Sequence, residues 1–161
     1  MTLKDFTLTE DNHFIAMEYY ALILNRTFLV LLTKEYLIGI QGNGMIGVEA
    51  GENELTRAIT RTLAVRGDLT NPYSYLKSKY LDAITHANLL DGSIVAINKT
   101  NFLIPRSDIR NTSYNPGKKW GMGYYPHDGR VYIETTRHKK REFIILGNQS
   151  GKLIADHILM K

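Results

Sequence analysis

An α+β fold built on a bent, mostly antiparallel sheet is predicted by three features of this sequence. Short apolar runs at 28–32, 36–40, 102–104 and 143–146 are separated by polar turns, as strands are. Helical periodicity appears only in the middle of the chain and at its end, so the order is strands, one or two helices, strands, helix. That order lacks the strand–helix alternation of a parallel βαβ sheet. A partly open barrel satisfies the same pattern.

The elements follow in order. Residues 1–12 are polar and partly acidic, and read as a loosely held terminus with no secretory signal. Residues 13–24 fit either a helix, with Phe14, Met17, Ala21 and Leu24 on one face, or a buried strand. The β-like sequence that follows favours the strand, with Asn25-Arg26 as its turn. Residues 27–33 and 36–41 form a hairpin around Lys34-Glu35. Between 52 and 65, Leu55, Ile59 and Leu63 recur at spacing four and predict a helix stopped by Gly67-Asp68. Asn71-Pro72 starts a second helix over 73–87, with Leu76, Tyr80, Ile84 and Ala87 on one face.

Residues 94–97 read as a strand, Lys99-Thr100-Asn101 as a turn, and 102–105 as a further strand whose Pro105 places it at an edge or end. Residues 106–109 bend the chain, and Asn115-Pro116-Gly117 makes a turn. The last quarter reads as a three-stranded meander closed by a helix. Its first segment is 120–125, and Asp128-Gly129 is the hairpin turn before the alternating run 131–136. The polar turn 137–140 leads to 143–146, a run covered on both faces, which Gly147 ends. Ser150 or Asn148 caps a helix of about three turns with Leu153, Ile154, His157 and Ile158 on its apolar side. So short a helix must dock on the sheet to be stable.

The 161 residues suit one domain with a single core, including a helical insertion at about 52–87. Hydrophobic content of 43% and charged content of 22% are those of a folded protein. The chain has no cysteine, which excludes disulfides, thiol catalysis and cysteine-ligated metal, and leans towards a cytoplasmic location. The apolar stretch 14–32 is interrupted by Glu18, Asn25 and Arg26, so no transmembrane segment is expected.

Several segments together resemble the pleckstrin-homology-like domains of bacteria. Residues 27–38, Thr-Phe-Leu-Val-Leu-Leu-Thr-Lys-Glu-Tyr-Leu-Ile, resemble the opening hairpin. Residues 102–109, Phe-Leu-Ile-Pro-Arg-Ser-Asp-Ile, resemble the third-strand pattern in which Ser-Asp precedes an apolar residue. Residues 129–133 with 141–147, and the final helix, resemble the closing strands and C-terminal helix. The resemblance covers roughly half the chain and implies a seven-stranded, partly open barrel capped by a helix. It implies a non-catalytic interaction module with no particular ligand, and makes the middle helices an insertion between early strands.

Chemical motifs are sparse. Gly42, Gly44 and Gly47 match G-x-G-x-x-G, but Gly51 follows where a dinucleotide site needs a helix, so 39–51 reads better as a bulged strand end. His127, Asp128 and His138 could meet only if the turns at the two ends of one strand met, and those are about 20 Å apart. No metal, cofactor or catalytic residue is expected. The best candidates are the basic hairpin tip Arg137, Lys139, Lys140 and Arg141 with Arg130 nearby, and the aromatics Trp120, Tyr125 and Tyr132. A net charge of +4 permits an anionic ligand without demanding one. The expected function is non-catalytic protein binding, with a homo-oligomer compatible. The alternative is RNA or single-stranded nucleic acid, held by the tip at 137–141 and stacked on the aromatics.

Overall fold

The computed structural model describes residues 1–21, 24–46, 67–122 and 126–160. The helix expected at 52–65 lies outside them, as do Gly47, Gly51, Tyr124 and Tyr125. Seven antiparallel strands form one sheet: β1 (His13–Ala21), β2 (Leu24–Leu32), β3 (Tyr36–Ile46), β4 (Phe102–Pro105), β5 (Ile109–Asn115), β6 (His127–Thr135) and β7 (Arg141–Leu146). Their order across the sheet is β4-β3-β2-β1-β7-β6-β5, and the sheet is not closed. Helices α1 (Ser78–His86) and α2 (Ser93–Ile97) lie between β3 and β4, and α3 (Gly151–Leu159) follows β7. No helix among the described residues is long and apolar enough to cross a membrane.

Strands β1 and β2 read as continuous apolar runs because both their faces are buried. Phe14, Ala16, Phe28 and Val30 point into an inner core with Phe102, Val131, Ile133 and Phe143. Ile15, Met17, Leu29 and Leu31 point the other way, into an outer core completed by Leu3, Tyr75, Leu76, Ile84, Leu89 and Ile94. The inner core is knit by aromatic rings: Phe28 lies 5.6 Å from Phe102, and Phe14 meets Phe143 edge-on at 5.9 Å. Helix α3 packs on β5 and β6 and adds Ala155 and Ile158 to that core.

Several expectations hold. The strand reading of 13–24 holds through Ala21. In the β2–β3 turn, the Thr33 hydroxyl accepts the Tyr36 amide at 2.9 Å, so Lys34-Glu35 sits where it was read. Ser150 caps α3, its hydroxyl accepting the Leu153 amide at 3.3 Å.

Other expectations are corrected. Asn25 and Arg26 are not a turn: they lie within β2, opposite Tyr19 and Glu18. Asn25 is fully buried, and its Nδ2 donates to the Gly121 carbonyl at 3.1 Å, so a turn-forming residue serves as a tether. The N-terminus is docked: Leu3 is buried and the Leu89 amide donates to the Met1 carbonyl at 2.9 Å. The helix expected over 73–87 splits into a 3-10 turn at Pro72–Tyr75 and α1. It breaks at Leu76, which is extended and bridged to Gly42. Residues 94–97 are helical rather than a strand. Gly92 at φ 85° and the Asp91 carboxylate, which accepts the Ser93 amide at 2.9 Å, start a turn that buries Ile94.

The meander is β5-β6-β7, with 109–115 as its first strand; of the segment 120–125 expected there, Trp120–Met122 are turn and bend and the rest lies outside the described residues. Asp128-Gly129 is a bulge inside β6, not a hairpin turn. His127 pairs with Leu146 and Arg130 with Ile144, leaving one extra residue on β6. Gly129 takes φ 63°, and a Cβ there would stand 2.3 Å from the Asn115 carbonyl oxygen. On α3 the buried positions are Gly151, Ala155 and Ile158, and Leu153 is 56% exposed.

The glycine-rich stretch is explained by packing as far as it is described. Strand β3 carries two extra residues between the pairs Arg26–Met45 and Phe28–Gln41, which is a bulge. A Cβ at Gly39 would fall 1.8 Å from the Phe102 ring, and one at Gly42 would fall 2.6 Å from the Tyr75 carbonyl oxygen. Both positions are empty because neighbours occupy the space, not to cradle a phosphate.

Candidate functional site

A cleft of about 380 Å³ opens at the end of the sheet where β1 meets β2. Glu18 and Tyr19 reach it from β1 and Arg26 from β2. Lys99 and Thr100 come from the turn between α2 and β4, Lys139 and Lys140 from the β6–β7 hairpin, and Arg141 and Glu142 from β7. The hairpin residues are those singled out in the sequence. The sheet order brings them to β1, because β7 pairs with β1, Glu18 opposite Phe143.

The floor is an ion pair. Arg141 Nη1 donates to Glu18 Oε2 at 2.8 Å, both side chains being about one-fifth exposed. The guanidinium also stacks on the Phe102 ring, 3.6 Å from its centroid. Burial pushes the Glu18 carboxyl above the usual glutamate range, against the pull of Arg141, Lys139 and Arg26. Burial likewise lowers the Arg141 guanidinium, against the pull of Glu18. For both partners desolvation outweighs mutual attraction, as expected of a charge pair taken partly out of water.

The remaining predicted residues divide. Arg130 is largely buried and donates to Glu142 at 3.2 Å, while Lys119 reaches the same carboxylate at 3.3 Å. Lys140 pairs with Glu134 at 2.8 Å on the surface, which raises the lysine and lowers the glutamate. Arg137 turns away from the cleft, its Nε 3.8 Å from the largely buried Asp108, which His138 Nε2 also approaches at 3.3 Å. Tyr132 has two cations near its ring, Arg130 and Lys140, each 5.5 Å from its centroid. Trp120 is 67% exposed, and its carbonyl accepts the Tyr19 hydroxyl at 3.1 Å. Tyr125 lies outside the described residues.

Of the tip residues, Lys139, Lys140 and Arg141 line the cleft, whereas Arg137 lies beside Asp108. No group of three or more His, Asp or Glu side chains among the described residues could hold a metal, and His127 and His138 sit at opposite ends of β6.

Sequence reasoning missed Glu18, Tyr19, Arg26, Lys99, Thr100 and Glu142. One signal was present: Glu18 is a charge in an apolar strand, and such a charge needs a partner. Nothing local could point from residue 18 to residue 141. Comparison with protein-family models, with curated proteins and with solved structures finds no match to this chain.

Proposed function

We propose that this chain is a non-catalytic interaction module of the pleckstrin-homology-like kind, and that a protein partner docks at the cleft beside the β6–β7 hairpin. The architecture supports the fold part of this reading: seven antiparallel strands, an open sheet and a C-terminal helix across β5 and β6. The state of the cleft carries the functional part. Its partly buried carboxylates are locked in pairs, Glu18 with Arg141 and Glu142 with Arg130 and Lys119. Groups held this way present a fixed charge pattern to a partner, which suits complementarity better than proton transfer. What weighs against the nucleic-acid alternative is that Arg130 and Lys140 already stand near the Tyr132 ring and that Lys140 and Arg141 are already paired.

The test is site-specific photo-crosslinking in cells that make this chain. The crosslinker is placed at Lys140 in the cleft or at Lys34, on the turn at the opposite end of β2. The expected result is one protein captured at 140 and not at 34, with binding reproduced by the purified pair in calorimetry. Equal capture at both positions, together with salt-sensitive binding of random single-stranded RNA lost in Lys139→Ala/Lys140→Ala, would replace this reading with the nucleic-acid one.

A further inference from the structure

We infer that the cleft recognises an acidic segment of the partner protein, its carboxylates held by Lys99 and Lys139 and a neighbouring apolar side chain laid against Trp120. This rests on the docking site proposed above and names the chemistry it selects. Among the described residues, five cationic side chains line the cleft against two carboxylates, a formal charge of +3. Both carboxylates are already engaged, Glu18 by Arg141 and Glu142 by Arg130 and Lys119. Lys140 is turned to Glu134. Lys99 and Lys139 are exposed, form no ion pair among the described residues, and stand on different walls, the α2–β4 turn and the β6–β7 hairpin. Two separated ammonium groups with the Thr100 hydroxyl fit two separated carboxylates.

A cleft of about 380 Å³ has room for a few side chains, not for a folded surface. The rim adds the apolar half. Trp120 is exposed, and its backbone is tied to Tyr19, a cleft residue, by the 3.1 Å hydrogen bond. The Tyr19 ring is itself covered by Lys119 at 4.8 Å. An exposed tryptophan whose backbone is tied to a cleft residue has the composition of an interface anchor. The embedded carboxylates oppose a ligand that concentrates several negative charges on one group, which disfavours polyanions of the nucleic-acid type.

The probe is a fluorescein-labelled dodecapeptide alternating glutamate and aspartate with leucine, titrated by anisotropy against its glutamine and asparagine counterpart. The acidic peptide binds in the micromolar range and at least about tenfold more tightly than the amide peptide, and that margin shrinks with salt. Lys99→Ala/Lys139→Ala abolishes the margin while leaving the melting temperature unchanged, since both side chains are exposed. Trp120→Ala weakens binding about threefold or more at every salt concentration.

Equal binding of the two peptides, or an unchanged margin in the double variant, overturns the inference. Tighter binding of single-stranded RNA or of phosphatidylserine vesicles, lost in the same double variant, overturns it in favour of a phosphate-bearing ligand. If the acidic peptide fails while the crosslink at 140 still captures a protein, the docking site stands and only its acidic specificity falls.

Discussion

Arg141 serves three surroundings at once: the Glu18 carboxylate, the Phe102 ring and the cleft. Removing it leaves Glu18 embedded without its partner. Arg141→Ala is expected to cost about 2 kcal/mol in urea denaturation, below the figure for a fully buried pair because water still reaches both groups. Glu18→Ala/Arg141→Ala should cost less than the sum of the two single changes, a coupling that a double-mutant cycle reads directly. The same pair sets a pH dependence. Burial favours protonated Glu18 in the folded chain, so the folded state binds more protons than the unfolded one between the ordinary glutamate value and the raised value. Stability due to this group therefore falls as pH rises through that window. Wild type should lose stability relative to Glu18→Gln across that window, and a constant difference between them would refute the assignment. Arg141 could be singled out from sequence because it lies in a run of bases. Its partner could not, because the two meet only when β7 docks on β1.

At the scale of elements, the bulge in β6 and the start of α3 form one joint. Asp128, beside the bulge glycine, accepts the Tyr114 hydroxyl and the Gly151 amide, each at 2.7 Å, and so ties β5 and β6 to the first turn of the helix. Gly129→Ala has to adopt φ 63° with its Cβ against the Asn115 carbonyl, and is expected to destabilise the chain by roughly 2 kcal/mol or more. Ser150→Ala removes only the cap and should cost about 1 kcal/mol. Thermal denaturation that ranks the serine change as the more damaging would contradict this account of the joint.

The far end of α3 is closed by Arg106, whose Nη2 donates to the His157 carbonyl at 2.7 Å and to those of Ile158 and Met160. Asp-Gly was legible as a place where the chain must bend, but its local chemistry is the same in a turn and in a bulge, and only pairing decides between them. Residues 94–97 show the opposite failure. Their β-branched side chains favour a strand, and burial of Ile94 on the outer core overrides that preference. Strand β5 escaped notice because its exposed positions Asn111, Ser113 and Asn115 look like loop, with only Ile109 and Thr112 buried.

For the whole molecule, the sheet is a shared wall between two cores. The fold class and the antiparallel arrangement were legible because hairpin turns and short apolar runs are local signals. The outer layer was not, because the covering residues are scattered through 1–8, 69–97 and 122, and no single stretch announces that it lies on a sheet. The doubly buried strands should form the most stable unit. In native-state hydrogen exchange, the amides of Phe14 to Met17 and Phe28 to Leu31 are expected to exchange slowest, and those of β4 and β5 at the sheet edges faster. Uniform exchange across the sheet would count against a two-sided core.

The ring of Phe102 joins these scales. One side of it fills the space that Gly39 leaves empty, and another carries Arg141, which in turn neutralises Glu18. Four positions scattered over strands β1, β3, β4 and β7 are therefore parts of a single stack, and none can be exchanged without unsettling the next. A larger residue at 39 ejects the ring, a smaller one at 102 drops the guanidinium, and either leaves the carboxylate at 18 stranded. Over evolutionary time such positions should be inherited as a set: descendants of this sequence should keep all four or replace them together, while the lysines at the mouth of the cleft remain free to drift with the partner.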